Sequence, residues 1–179
     1  MGGKIIYDSK DKSFEKYLNA KKRGVNQYKQ YDIMKYQNLL FGNCIIQKDI
    51  FKEIKLNLKL KSYGGEELDF AYRLNQQYSQ QIIACNSAVA YRINHPSLMQ
   101  HILRIEEFGK YNFCLLNNEL QNLIVRNNVF IIKHVLIQKT TFIISLITTS
   151  LYRLGLRNSI IIKIILLASL LKGYHQKIR

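Results

Sequence analysis

Ser62-Tyr63-Gly64-Gly65-Glu66-Glu67-Leu68-Asp69-Phe70-Ala71-Tyr72-Arg73-Leu74 places three carboxylates directly after a double glycine. Gly64 and Gly65 permit positive φ and a tight turn. The spacing that follows predicts a helix, with Leu68, Tyr72 and Leu74 on an apolar side and Asp69 meeting Arg73 at i,i+4. Acidic residues in a first turn complement the positive end of the helix dipole, so a capped helix start is one reading. The other is catalytic. A glycine turn brings backbone close to a substrate, and one acid acts as general base while the other acid or Arg73 holds its charge and direction.

Working outward, Lys4-Ile5-Ile6-Tyr7 reads as a short strand. Phe14, Tyr17, Leu18 and Lys21 recur at helical intervals, predicting a helix over 13–23 that Gly24 stops. Lys21-Lys22-Arg23 is a basic run suited to a solvated helix end. Residues 26–38 show no period and read as loop. Gly42-Asn43 lies between the apolar runs 39–41 and 44–46, the signature of a turn or bulge. Downstream, 81–85 and 88–93 read as two strands around Asn86-Ser87. Residues 97–117 form a helix whose stripe is Leu98, Ile102, Ile105 and Phe108, with Ser97 as N-cap.

Tyr63-Gly64-Gly65-Glu66-Glu67-Leu68-Asp69-Phe70-Ala71-Tyr72-Arg73-Leu74 resembles the "yGGED.dl.yRL" element of family-2 inverting glycosyltransferases with a GT-A fold. By that resemblance Glu66 and Glu67 occupy the acid pair, and Arg73 the arginine of the following helix. The second acid of the family's pair is the usual base for the acceptor hydroxyl. Glutamate at 67 replaces aspartate and lengthens the arm by one methylene, so the base is either Glu67 or Glu66. Gly64, Gly65, Asp69, Arg73 and Asn43 would bind or support the acceptor. Asn43 and Ile50-Phe51 match a weaker upstream segment, in which a strand approaches the acceptor pocket before a helix. In the family the region corresponding to 53–60 is a loop, so its alternation is read as extended chain. Val89, His95, Ser97-Leu98, Leu103-Arg104, Phe108-Gly109 and Tyr111-Asn112 match a third segment, in which a histidine ligates the divalent metal of the sugar nucleotide. His95 is that match, ahead of His101. A Mg²⁺ or Mn²⁺ site also needs several oxygen ligands and the substrate phosphates.

The resemblance implies an α/β fold: a partial GT-A (Rossmann-like) domain, its acceptor half, over residues 1–125. It implies transfer of a sugar from a nucleotide-sugar donor to a glycan or lipid-linked acceptor in cell-surface polysaccharide synthesis. The family's nucleotide-binding half and its Asp-x-Asp motif have no counterpart in this sequence. The isolated chain is therefore expected to be inactive, to use its metal only with that half, and to pair with a separate chain that carries it. A partial sheet of this kind leaves one face open to such pairing.

The 179 residues carry 27 Lys and Arg against 12 Asp and Glu, a net charge of +15 that calls for a polyanionic partner. Cys44, Cys85 and Cys114 form no C-x-x-C pair, which points to buried thiols rather than a disulfide framework or a zinc site. Met1-Gly2-Gly3-Lys4 lacks the apolar region of a signal peptide. From Arg126 onward there are nine Lys or Arg and no acid. The same segment, 126–179, holds the apolar runs 140–151 and 159–171, each shorter than the roughly 20 residues of a spanning helix. Basic apolar helices fit a peripheral anchor on an anionic membrane, at its cytoplasmic face; the competing reading is a hairpin packed on its own domain or on a dimer partner. A non-enzymatic basic module for membrane or RNA is the alternative function. The tyrosines follow no RNA-recognition pattern, so no specific nucleic acid is expected.

Overall fold

The computed structural model describes residues 1–78, 82–125 and 135–177. It is mixed α/β and divides into two compact units, one of Met1–Asn57 with Glu66–His95, the other of Leu58–Gly65 with Pro96–Arg179.

In the first unit, strand β1 (Gly2–Ser9) runs parallel to β2 (Ala84–His95). Parallel neighbours need a long crossover, here supplied by helices α1 (Lys12–Leu18), α2 (Lys48–Glu53) and α3 (Glu66–Gln77) and by 3-10 turns at 24–27, 36–38 and 41–43. Gly2 and Gly3 face Ala84 and Cys85, but Lys4 faces Val89, so Asn86, Ser87 and Ala88 bulge out of register. The two strands expected around Asn86-Ser87 are thus one strand with a bulge. Its polar groups are met by residues distant in the chain instead of by a hairpin turn. Asn86 Nδ2 donates to the Tyr28 carbonyl at 2.6 Å, and Ser87 N donates to Gln30 Oε1 at 3.1 Å.

Helix α1 starts as read, with the Asp11 carboxylate accepting from Phe14 N, and it buries Phe14 and Tyr17. It ends at Leu18 instead of Arg23. The Asn19 side chain exchanges two hydrogen bonds with the Tyr7 backbone, at 2.9 and 2.8 Å, and so leads the chain onto β1. The turn read at Gly42-Asn43 is a 3-10 turn over Phe41–Asn43, and of the strand that the resemblance implies for this segment there is a lone bridge from Gly2 to Cys44. The core gathers Val25, Met34, Leu39, Ile54, Phe70, Ala71, Leu74, Ile82 and Ala84. Phe70 is fully buried, with the Phe41 ring edge-on at 5.2 Å and the Phe51 ring at 5.6 Å. That burial fixes the face on which α3 rests. The thiols of Cys44 and Cys85 here, and of Cys114 in the second unit, are free and half-buried rather than buried.

The second unit is helical among the described residues: α4 (Leu98–Tyr111), α5 (Asn118–Val125), α6 (Val135–Arg153) and α7 (Ser159–Lys177). Ser97 caps α4 as read, within a full capping box closed by Gln100. The helix stops at Tyr111, and a 3-10 turn follows at Phe113–Leu115. Helix α7 lies directly along α4 in the same compact unit. A Cβ on Gly109 would strike the Leu170 carbonyl, and one on Gly173 the Glu106 carbonyl. Lys172 Nζ reaches Glu106 Oε1 at 2.8 Å across the same contact. The packed-hairpin reading therefore describes α7.

Candidate functional site

The acid pair opens α3 in the first unit. Burial pushes the Glu67 carboxyl above the ordinary glutamate range and outweighs its neighbours. The Phe41 backbone N–H donates to it and pulls the other way, Glu66 adds to the rise, and Arg92 on β2 opposes it. The Cys44 thiol is also pushed up, chiefly by burial and also by the Glu67 charge. The 3-10 turn at 41–43 thus supplies a donor to Glu67 while its Phe41 ring packs on α3. Glu66 Oε2 is buried with no hydrogen-bond partner among the described residues. A carboxylate is an acceptor with nothing to donate, and such an oxygen is costly unless a donor reaches it. A substrate hydroxyl is a donor of the right kind.

The other expected site residues divide by role. Asp69 and Arg73 pair with each other, Nη2 to Oδ2 at 2.9 Å and Nε to Oδ2 at 3.0 Å, as the i,i+4 spacing requires. Asn43 has a structural part: its Nδ2 donates to the Lys4 carbonyl at 2.8 Å and to the Ala88 carbonyl at 2.9 Å. It thereby ties β1 to the bulge of β2. Asn43→Ala leaves both strand carbonyls short of a donor and is expected to cost about 1–3 kcal/mol of stability. A lowered urea midpoint with an unchanged slope is the check; an unchanged midpoint would contradict the clamp.

His95 is no loop residue. It ends β2, 7 % exposed, with the Tyr7 ring edge-on at 4.9 Å and the Phe14 ring at 5.9 Å. Among the described residues no group of three or more His, Cys, Asp and Glu comes together to hold a metal. Hard cations need several oxygens, so the role expected of His95 depends on ligands from the donor portion and the substrate phosphates.

In the second unit, Gly64 and Gly65 take φ of +89° and +93°, the left-handed region that glycine permits. A Cβ on Gly64 would come within 3.2 Å of the Phe108 ring, and one on Gly65 within 2.8 Å. The buried Asn112, at the end of α4, donates to the Ser62 carbonyl at 2.6 Å and to the Gly64 carbonyl at 2.8 Å. The double glycine therefore packs on Phe108 and Asn112. Phe41 and Arg92 were not among the candidates from sequence, and Asn112 was named only within the third matched segment. A backbone donor and two residues remote in the chain leave no local signal.

The first unit also has an apolar hollow of about 500 Å³, lined by residues including Met1, Ile33, Ile45, Leu74 and Ile82. Neither acid lines it, and Gln47 and Tyr78 are its polar groups, so it offers little to a sugar. Comparison with family models, with curated proteins and with solved structures finds no match for this chain.

Proposed function

We propose that the chain is the acceptor-side part of an inverting glycosyltransferase, with Glu67 as the general base and Glu66 as a ligand for the acceptor hydroxyl. The observation that carries this reading is the raised Glu67 carboxyl next to a buried, unpartnered oxygen of Glu66, at the helix start where the sequence resembles the family's acid pair. A base with an elevated pKa takes a hydroxyl proton more readily than an ordinary glutamate. As the acceptor oxygen attacks the anomeric carbon, its proton passes to Glu67. The bond from that carbon to the nucleoside diphosphate breaks, the diphosphate leaves with the electron pair, and the configuration inverts.

The donor diphosphate, with any Mg²⁺ or Mn²⁺ on it, falls to a nucleotide-binding portion of a separate or longer chain, since this sequence contains no Asp-x-Asp. The acceptor class is a glycan or a lipid-linked sugar. On this reading the reaction belongs at the cytoplasmic face of a membrane, where soluble nucleotide sugars meet lipid-linked acceptors.

The test is a transfer assay with labelled UDP- and GDP-sugars and polyprenol-linked or free glycan acceptors. It is run on the purified chain, and again with whatever nucleotide-sugar-binding chain co-purifies with it. The expected result is no turnover by the chain alone and turnover with inverted configuration when the donor portion is present. Retained configuration, or robust turnover by the 179 residues alone, would overturn the proposal.

A further inference from the structure

Helix α6 is inside out. Phe142, Ile143, Leu146 and Ile147 are 56, 52, 61 and 52 % exposed, whereas Thr141, Thr148 and Tyr152 are 4, 8 and 3 % exposed. At about 100° per residue the four apolar side chains, with Leu154 just past the helix end, span an arc of roughly 140°, and the three buried residues cluster opposite. In water a helix of this composition turns the other way, apolar side inward. The inward hydroxyls are compatible with burial because the helix can satisfy them itself: Thr148 Oγ1 donates to the Ile144 carbonyl at 2.6 Å. Ser169, fully buried on α7, does the same to the Ile165 carbonyl at 2.7 Å.

The apolar surface continues around the α6–α7 turn through Leu154, Leu156 and Ile160, all more than half exposed. Gly155 makes that turn at φ +102°. Exposed cations flank it: Arg153, Arg157 and, one turn into α7, Lys163. Arg157 is held in place, its guanidinium 5.5 Å from the Tyr152 ring centroid and its Nε donating to the Tyr152 carbonyl at 3.3 Å. The segment carries no acid to pair with these charges.

We propose that the outward face of α6 and the α6–α7 turn form a docking surface for an anionic lipid bilayer, with α6 lying in the interface plane and its apolar face among the acyl chains. An apolar face rimmed by cations matches acyl chains bordered by anionic headgroups. A second copy of the chain is the poorer occupant, since it would bring its own Arg153, Arg157 and Lys163 against these without a compensating acid. Helix α7 has a different part. It contains an 18-residue stretch, Ser159–Gln176, long and apolar enough to cross a membrane. Its residues Ile162, Ile165, Ala168, Leu170 and Leu171 are nonetheless buried, and its contact with α4 is backbone-close. It serves as the internal support on which α6 is carried. The proposal does not rest on the catalytic reading of Glu67.

The chain has no tryptophan, so a single Trp reports on its own surroundings. Leu146→Trp and Ile143→Trp in the full chain are expected to shift their emission to the blue on addition of phosphatidylglycerol vesicles, and to lose most of it when the acyl chains are brominated. Ile45→Trp, at an exposed apolar position of the first unit, is expected to do neither. Arg153→Gln and Arg157→Gln should each weaken partitioning about fivefold. The unmodified chain should float with phosphatidylglycerol vesicles and not with phosphatidylcholine alone, a readout that survives any misfolding of the variants. Absence of flotation, or blue shifts that grow with protein concentration and ignore lipid, would overturn the proposal, the latter in favour of self-association. Equal quenching at positions 45 and 146 would overturn the assignment to α6.

Discussion

Gly173→Ala is expected to cost the second unit roughly 2–4 kcal/mol, although alanine is the better helix former by about 1 kcal/mol. The sign reverses because of what the new methyl would meet. At Gly173 it is the Glu106 carbonyl oxygen, and at Gly109 it is the Leu170 carbonyl with Tyr174 N close behind. Both obstacles are helix backbone, which cannot rotate aside as the end of a side chain can. Either substitution must push α7 away from α4, loosening the buried Leu98, Ile102, Leu170 and Leu171 and stretching the Lys172–Glu106 pair. Gly109→Ala should therefore behave like Gly173→Ala, and the double variant should cost less than the sum, since the first displacement already makes room for the second methyl. Ser150→Ala on the exposed side of α6 is the contrast, with a small gain from propensity alone. Thermal or urea unfolding of the four variants beside the parent decides the matter. A Gly173→Ala chain as stable as the parent would refute the close helix contact.

What was legible in the sequence is what neighbours in the chain decide between them. The Asp69–Arg73 pair, the positive φ of Gly64 and Gly65, the Ser97 cap and the Lys4–Tyr7 part of β1, which runs from Gly2 to Ser9, all depend on residues close to one another in the chain. The start of α1 does too, but its end does not: Asn19 leaves the helix to bond Tyr7, on a strand that propensity cannot consult. The β2 bulge is written in Tyr28, Gln30 and Asn43, some 45 to 60 residues upstream. Asn86-Ser87 alone therefore reads as a turn. The turn at Gly42-Asn43 was legible, but the strand implied by the resemblance is absent there for a similar reason, because Phe41 is drawn to Phe70 and its N–H to Glu67. In the second unit, Gly109 and Gly173 look like weak points of two helices until their partners are known. The inversion of α6 was hidden by composition: with apolar residues on most of its turn, periodicity does not say which side faces α7. Glu66 and Glu67 were singled out from sequence, whereas the donor from Phe41 and the charge of Arg92 come from distant segments. The mixed α/β class agrees with what the resemblance implies; a GT-A sheet of more strands is a matter of the proposal, and the described residues form two paired strands.

With the donor portion present, Glu67→Gln is expected to lower kcat by about 10²–10⁴ while donor affinity stays near that of the parent, the usual worth of a general base. Glutamine keeps the shape and can still accept from the Phe41 N–H, but it cannot take the acceptor proton. Glu66→Gln should instead raise KM for the acceptor, since the amide replaces one of the oxygens that a hydroxyl would bond. Asp69→Asn should act mainly on stability, by under roughly 1 kcal/mol for each of its two interactions, the pair with Arg73 and the helix dipole. The pH dependence gives a second and independent reading of Glu67. Its folded pKa is raised above the unfolded value, so ionising it costs folding free energy once the pH exceeds the ordinary glutamate range. Glu67→Gln removes that cost. The variant should be the more stable chain at neutral pH, and the gain should shrink as pH falls through the raised pKa and vanish below the ordinary one. In the parent, kcat should fall on the acid side at a pH above the ordinary glutamate range, where the base becomes protonated. If Glu66→Gln loses kcat and Glu67→Gln does not, the two roles are exchanged. If neither variant changes kcat while the stability gain of Glu67→Gln still appears, Glu67 is a buried acid at a well-placed helix start and the chemistry lies elsewhere.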